Sequence, residues 1–165
     1  MRLNLSGIIN VPGSSVSFDY EPDVSGLVFE SVAEFVRPLR ASGSVRNTAG
    51  VLTLSAEITA DLCCVCARCL KEFEKHIQLP CEAVLAESIQ NEEESDAYLL
   101  DGDEADLDEV LLTAFVLNMD QRFLCREDCK GLCERCGKDL NEGPCGCMQE
   151  IDPRLAALSR FLEDE

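Results

Sequence analysis

The chain has 165 residues, 32 of them acidic and 14 basic, for a formal charge of −18, with eleven cysteines and one histidine. That length argues for one domain with at most a small appendage and lets about 68–70% of the unfolded surface be buried, so metal is not needed merely to rescue a small core. The charge disfavours nucleic acid and anionic membranes as partners of the surface as a whole and favours basic proteins, while one histidine and no nucleophile–base pair leave acid–base and triad catalysis without support.

In chain order, MRLNLSGIINVPGSS carries one basic residue and no apolar run of signal-peptide length. No stretch approaches the ~20 apolar residues of a membrane span, so the expectation is a cytoplasmic protein whose thiols stay reduced. An odd cysteine count fits metal thiolates better than a fully paired disulfide framework. Leu3 and Leu5 in phase predict an edge strand in the first eight residues. Residues 27–37 offer a strand with Leu27, Phe29, Ala33 and Phe35 on one face, and Ser44–Arg46 a shorter one, followed by a hairpin turn over Arg46–Gly50.

The clearest strand is 51–64, VLTLSAEITADLCC, where Leu52, Leu54, Ala56, Ile58, Ala60, Leu62 and Cys64 alternate with polar positions. Another covers 72–86, with Phe73, Ile77, Leu79, Cys81, Ala83 and Leu85 in phase. The motif CARC (Cys66, Cys69) sits where one long strand turns into the next. Cys64 and Cys81 read as small inward apolar residues and Cys63 as an outward free thiol. His76 falls on the polar face and is not read as a ligand.

Residues 91–109 hold ten acidic side chains and no basic one. Asp101 and Asp103 suit a calcium loop, but Ala105, Asp106 and Leu112 miss its later positions, so the run is read as a solvated acidic loop. Asp106, with Glu109 three residues on, caps a helix over 106–118. Its apolar positions, extended by Leu112 and Val116 nearly all round, predict a mostly buried element. Asp152-Pro153 opens a short C-terminal helix carrying Leu155, Leu158, Phe161 and Leu162. No internal repeat is evident.

The fold expected is α+β: an antiparallel sheet in the N-terminal half, open or barrel-like, one buried helix, a Cys-rich zinc knuckle and a short C-terminal helix. Residues 1–119 form the β-rich core, with the acidic loop at 91–105. Residues 120–165 form a metal-binding tail packed on that core.

The tail carries the chemistry. Six cysteines fall within the 23 residues 125–147 in the couplets Cys125/Cys129, Cys133/Cys136 and Cys145/Cys147, with Cys66/Cys69 far upstream. Thiolates two or three residues apart can face one ion, and a closed four-coordinate site is structural rather than catalytic. Cys133, Cys136, Cys145 and Cys147 make the first zinc site expected. A second forms if Cys66 and Cys69 reach Cys125 and Cys129, since loop-closure cost grows only logarithmically with length. The alternative has Cys125/Cys129 sharing the first ion and CARC free. Arg68 between two thiols also admits a redox dithiol, although the motif lacks the βαβ context of thioredoxin-like sites. Arg122, Arg126, Lys130, Arg135 and Lys138 make residues 120–147 nearly neutral, with a net charge of about −1 against −17 for the rest, and are the candidates for contact with RNA or a partner.

These residues resemble the bacterial YceD family: Cys66-Ala67-Arg68-Cys69-Leu70 closing a β-rich half, Asp106-Leu107-Asp108-Glu109 after an acidic stretch, Cys129-Lys130-Gly131-Leu132-Cys133 with Cys136-Gly137, Asp139-Leu140-Asn141, and Cys145-x-Cys147 before Asp152-Pro153-Arg154. Many relatives keep the CxRC couplet and lack the tail cysteines, so the tail metal is not what the family shares. The resemblance implies a non-enzymatic factor in ribosome biogenesis that promotes 23S rRNA accumulation, through rRNA or through a basic ribosomal protein of the large subunit. A thiol redox or metal-handling protein and a structural zinc module of another complex are the alternative readings.

Overall fold

The computed structural model describes residues 1–88 and 97–147. Along the chain run β1 (Arg2–Asn4), α1 (Ser6–Ile9), β2 (Ser15–Tyr20), β3 (Val32–Phe35), β4 (Arg40–Thr48), β5 (Val51–Val65), β6 (Glu72–Ala86), β7 (Tyr98–Leu99), β8 (Glu104–Asp106) and α2 (Leu107–Asn118).

The two 15-residue strands β5 and β6 form the frame. Their alternating apolar positions give an antiparallel hairpin in continuous register from Leu52↔Leu85 to Val65↔Glu72. On its other side β5 pairs with β4 from Val51 to Thr59 and with β3 from Leu62 to Cys64, so β3 continues where β4 leaves off. The order is β2-β4-β5-β6-β7, all antiparallel except β6–β7. β4 and β5 meet through a two-residue turn in which Ala49 and Gly50 have φ of 54° and 94°, the sign a tight hairpin needs.

The inward face of this sheet and α2 enclose the core. Leu54, Ile58, Leu62 and Cys64 share one buried cluster with Leu107, Leu111 and Phe115. The rings of Phe29 and Phe35 lie 6.0 and 6.1 Å from that of Phe115. Burying such side chains contributes about 1.5–3 kcal/mol each. Asp106 caps α2, its side chain accepting from Asp108 N–H. Asn47, fully buried, donates from Nδ2 to the carbonyls of Ile8 and Ile9 and accepts from Gly50 N–H, tying α1 to the β4–β5 turn.

Several expectations are corrected. The sheet is open: among the described residues β2 does not meet β6 or β7 to close a barrel. The first residues do not add an edge to the main sheet. β1 pairs with β8 in a separate two-stranded sheet, and the chain then turns into α1 because Leu5 and Ile8 reach the core at helical spacing. The strand expected over 27–37 shrinks to Val32–Phe35. A register shift between Val32 and Glu34 leaves Ala33 exposed. β4 runs through Thr48, beyond the Ser44–Arg46 segment expected, and the turn is correspondingly shorter. α2 buries only one face, with Val116 and Leu117 44% and 77% exposed. Part of the acidic run is ordered into β7 and β8, and 89–96 lies outside the described residues, as does the helix expected after Asp152-Pro153. No described helix is long and apolar enough to cross a membrane.

Candidate metal centres

The turn between β5 and β6 is the CARC motif. Cys66 N–H donates to Lys71 O and Leu70 N–H to Cys66 O, both at 2.9 Å, and Leu70 takes φ 59° to allow it. The loop so formed aims the N–H groups of Arg68 and Cys69 at the Cys66 sulfur. Residues 133–138 repeat this unit. Cys133 N–H donates to Lys138 O and Gly137 N–H to Cys133 O, both at 2.8 Å, with Gly137 at φ 70° and the N–H groups of Arg135 and Cys136 aimed at Cys133. The sequences CARCLK and CERCGK share Cys-x-Arg-Cys-x-Lys. The chain therefore has an internal repeat after all, six residues long and too short to register as a period.

Sidewise contacts bring the tail to the first knuckle. Cys66 and Phe123 form a parallel bridge, with Ala67 N–H donating to Phe123 O at 2.8 Å. The Arg68 guanidinium donates to Cys129 O at 2.8 Å and to Glu127 O at 3.3 Å, and Leu132 N–H donates to Arg68 O at 3.1 Å. Gly131, at φ 74°, lies so close that a Cβ there would stand 3.0 Å from Arg68 O.

The result is two groups of four sulfurs, each group within 4.8 Å throughout: Cys66, Cys69, Cys125 and Cys129 in the proximal group, Cys133, Cys136, Cys145 and Cys147 in the distal one. The alternative in which CARC stands apart does not correspond to this arrangement. Cys66 Sγ lies 3.8 Å from Cys129 Sγ, Cys69 Sγ 3.7 Å from Cys125 Sγ, and Cys145 Sγ 3.3 Å from Cys133 Sγ. A tetrahedral four-thiolate site with Zn–S bonds of ~2.3 Å has sulfur–sulfur edges of ~3.8 Å, so spacing and donor type both suit a soft divalent ion. The proximal group is the more enclosed, with Cys66, Cys69 and Cys129 at most 4% exposed and Cys125 half-buried, whereas Cys136 of the distal group is exposed and its other three cysteines are half-buried.

The electrostatics are those of thiols crowded round one point. Burial pushes Cys66 up, but the N–H groups of Cys125, Cys69 and Arg68 outweigh it and bring the thiol to about 6. N–H groups of Cys136 and Arg135 do the same for Cys133, also to about 6. Burial and then the neighbouring thiols raise Cys125 to about 12, and hydrogen bonding to Cys136, with burial, raises Cys147 to about 12. Each group thus has a thiolate readily formed and one that a cation must stabilise.

Around the sulfurs stand residues that spacing alone did not single out. Asn141 donates from Nδ2 to Cys129 Sγ at 3.4 Å and to Asp139 Oδ1 at 2.7 Å, and accepts on Oδ1 from Lys130 N–H at 2.8 Å and Arg126 Nη2 at 2.7 Å. Lys71, the last residue of the first knuckle, pairs with Asp139 Oδ2 at 2.8 Å and Glu142 at 3.0 Å. Asp139 and Asn141 are visible in the resemblance, but only the structure gives them partners.

Of the cationic residues, Arg122, Arg126, Lys130, Arg135 and Lys138 are all exposed. Arg126 is engaged by Asn141 and Asp128, and Lys138 donates to Pro144 O at 3.0 Å. His76 pairs with Asp61 at 2.6 Å and belongs to neither sulfur group. Cys64 and Cys81 are buried, and Cys63 is half-buried, its thiol raised by burial and then by Glu72, Glu34 and Glu74.

Comparison with known proteins gives a family and relatives. The family model described as large ribosomal RNA subunit accumulation protein YceD matches residues 54–162. An uncharacterised protein of Mycobacterium leprae is 27% identical over 136 residues, covering 79% of this chain and 62% of its own length. An uncharacterised protein of Mycobacterium tuberculosis and one of Mycobacterium bovis are each 33% identical over 104 residues, 61% of this chain and 50% of their own. The match thus spans 50–62% of the length of these relatives. No solved structure matches it.

Proposed function

The chain belongs to the YceD family, and from that we propose that it is a non-enzymatic zinc-binding factor of large-subunit biogenesis in the cytoplasm, promoting accumulation of 23S rRNA by engaging a basic ribosomal protein. The family match over residues 54–162 is the observation that carries this reading. The charge of −18 supports a protein client over RNA, because phosphate binding needs local cations to outweigh long-range repulsion. We assign one zinc ion to Cys66, Cys69, Cys125 and Cys129 and one to Cys133, Cys136, Cys145 and Cys147, with residues 120–165 as a tail docked on a core of 1–119. Bound there, each ion would have four closed bonds and no open position, so its part would be structural: the proximal ion would hold the tail to the β5–β6 turn and the distal ion would close the 133–147 loop.

Direct rRNA contact is the second reading, favoured by the exposure of Arg122, Arg126, Lys130, Arg135 and Lys138. Capture of the protein from lysate with and without nuclease separates the two. Recovery of ribosomal protein that survives nuclease supports the client reading; rRNA retained after ribosomal proteins are stripped away refutes it. Native mass spectrometry should show two zinc ions per chain, one lost in Cys69→Ser and the other in Cys147→Ser. Unbound zinc together with reversible dithiol oxidation of Cys66/Cys69 would move the protein to the redox class.

A further inference from the structure

The loop that joins Cys136 to Cys145 closes the distal sulfur group, yet its side chains serve the proximal one. Asn141 Nδ2 reaches Cys129 Sγ at 3.4 Å, and Asp139, held by Asn141 at 2.7 Å, takes Lys71 of the first knuckle at 2.8 Å. The loop backbone is tied to the tail by Leu140 N–H donating to Gly131 O at 2.9 Å and by the Leu132–Asp139 bridge. Lys138 Nζ spans the loop to Pro144 O at 3.0 Å. Cys129 is 2% exposed, so an amide at its sulfur replaces hydration that burial removes.

We propose that Asn141 is a positioning residue that couples the two metal sites, so that an ion in the distal site fixes the 137–144 loop and thereby raises the affinity of the proximal site. The coupling rests on the reading of both sulfur groups as zinc sites. Four thiolates around one dication carry −2, and a neutral amide donating to one of them stabilises that charge without adding a competing ligand. With the distal ion gone, both ends of the loop are released and Asn141 must be ordered at the expense of proximal binding. By reciprocity, a filled proximal site strengthens the distal one by the same factor. The proximal site then responds to the state of the more exposed distal site without touching its ion.

The test is a four-protein cycle on the full chain, reduced and stripped of metal: wild type, Cys145→Ser/Cys147→Ser, Asn141→Ala and the triple variant. Proximal affinity is read by cobalt titration in competition with a chelator, and occupancy by native mass spectrometry. The distal lesion should weaken the proximal site about tenfold, the loss typical of a missing partner behind a ligand. Asn141→Ala should weaken it about as much and shift the thiolate-to-cobalt charge-transfer band, a readout that mere loosening of the tail leaves in place. The triple variant should bind no more weakly than Asn141→Ala. A proximal affinity within about twofold of wild type in the distal variant, or losses that multiply in the triple variant, overturns the coupling. Because the serine pair risks loosening the tail, the cycle is repeated with Cys147→Ser alone, which keeps three distal thiolates. Two zinc ions bound independently sink the coupling and leave the zinc reading standing, whereas a wild type that binds none sinks both.

Discussion

Gly131 is where the tail approaches the first knuckle most closely, and replacing it by alanine separates two effects. Its φ of 74° carries a penalty of about 1–2 kcal/mol for an L-residue, offset in part by the roughly 0.4–1 kcal/mol that alanine gains from a less disordered unfolded chain. The added Cβ also meets Arg68 O at 3.0 Å and Arg68 Cβ at 3.4 Å. Arg68 O is backbone and already accepts from Leu132 N–H at 3.1 Å, so it cannot swing away as a side-chain tip would. Moving it by a few tenths of an ångström costs about another 1 kcal/mol, at the low end for overpacking. Gly131→Ala should therefore destabilise by about 1.5–2 kcal/mol. Gly137→Ala provides the control: its φ is 70°, and a Cβ there meets nothing within 4 Å, so only the conformational part, about 0.5–1 kcal/mol, remains. The assay is the urea midpoint of both variants in saturating zinc, converted with a common slope. Because the N–H of Arg68 points at Cys66 Sγ, Gly131→Ala should also loosen the proximal metal. Equal midpoints for the two variants would refute the close approach of tail and knuckle.

Asn47→Ala removes three hydrogen bonds in a fully buried position and leaves the Ile8 and Ile9 carbonyls without that donor, so a loss of about 2–4 kcal/mol in urea is expected. Leu70→Gly removes an exposed side chain from a residue at φ 59° and should leave stability unchanged or raise it by up to about 1 kcal/mol, measured as thermal midpoint at fixed zinc. Lys71 beside Asp139 holds that carboxyl below its usual range, so the pair's contribution is complete above the usual carboxylate range and lost only as pH falls through the lowered value. Lys71→Met should accordingly depress the urea midpoint equally at pH 7 and pH 5, and a deficit that fades by pH 5 would contradict the pairing.

What was legible from residues was whatever repeats within one element. The alternation over 51–64 predicts β5 to within one residue, and that over 72–86 predicts β6 to its ends, because a half-buried strand leaves its period in the chain. The Asp106 cap was equally plain. SVSFDY over β2 carries the same period in Val16, Phe18 and Tyr20 but is short and polar between, so its pattern alone does not predict a strand. Leu5 and Ile8 sit at a spacing that one helical turn satisfies, yet four residues are too few to outweigh a strand pattern. The couplets point to four-sulfur groups, but their spacing alone admits two arrangements, of which the pairing of Cys66/Cys69 with Cys125/Cys129 is one. The partners of Asn141 and Lys71 could not be read at all, since they join residues 12 and 68 positions apart through a fold that spacing does not encode.

The separation of the couplets also sets an order in time. The distal group closes within 15 residues, from Cys133 to Cys147, whereas the proximal group waits on residues 56 and 63 positions downstream of its first half. On a chain emerging from the ribosome, the β5–β6 hairpin and its knuckle are made long before Cys125 and Cys129 exist. Long-range closure of this kind is slow in any case, because loop entropy is lost before the contact is gained. A chain broken off before Cys129 therefore has its sheet but only an incomplete proximal group. Completion of that group reports that synthesis has passed Cys129, and the four sulfurs become a check that the sequence up to that point has been made.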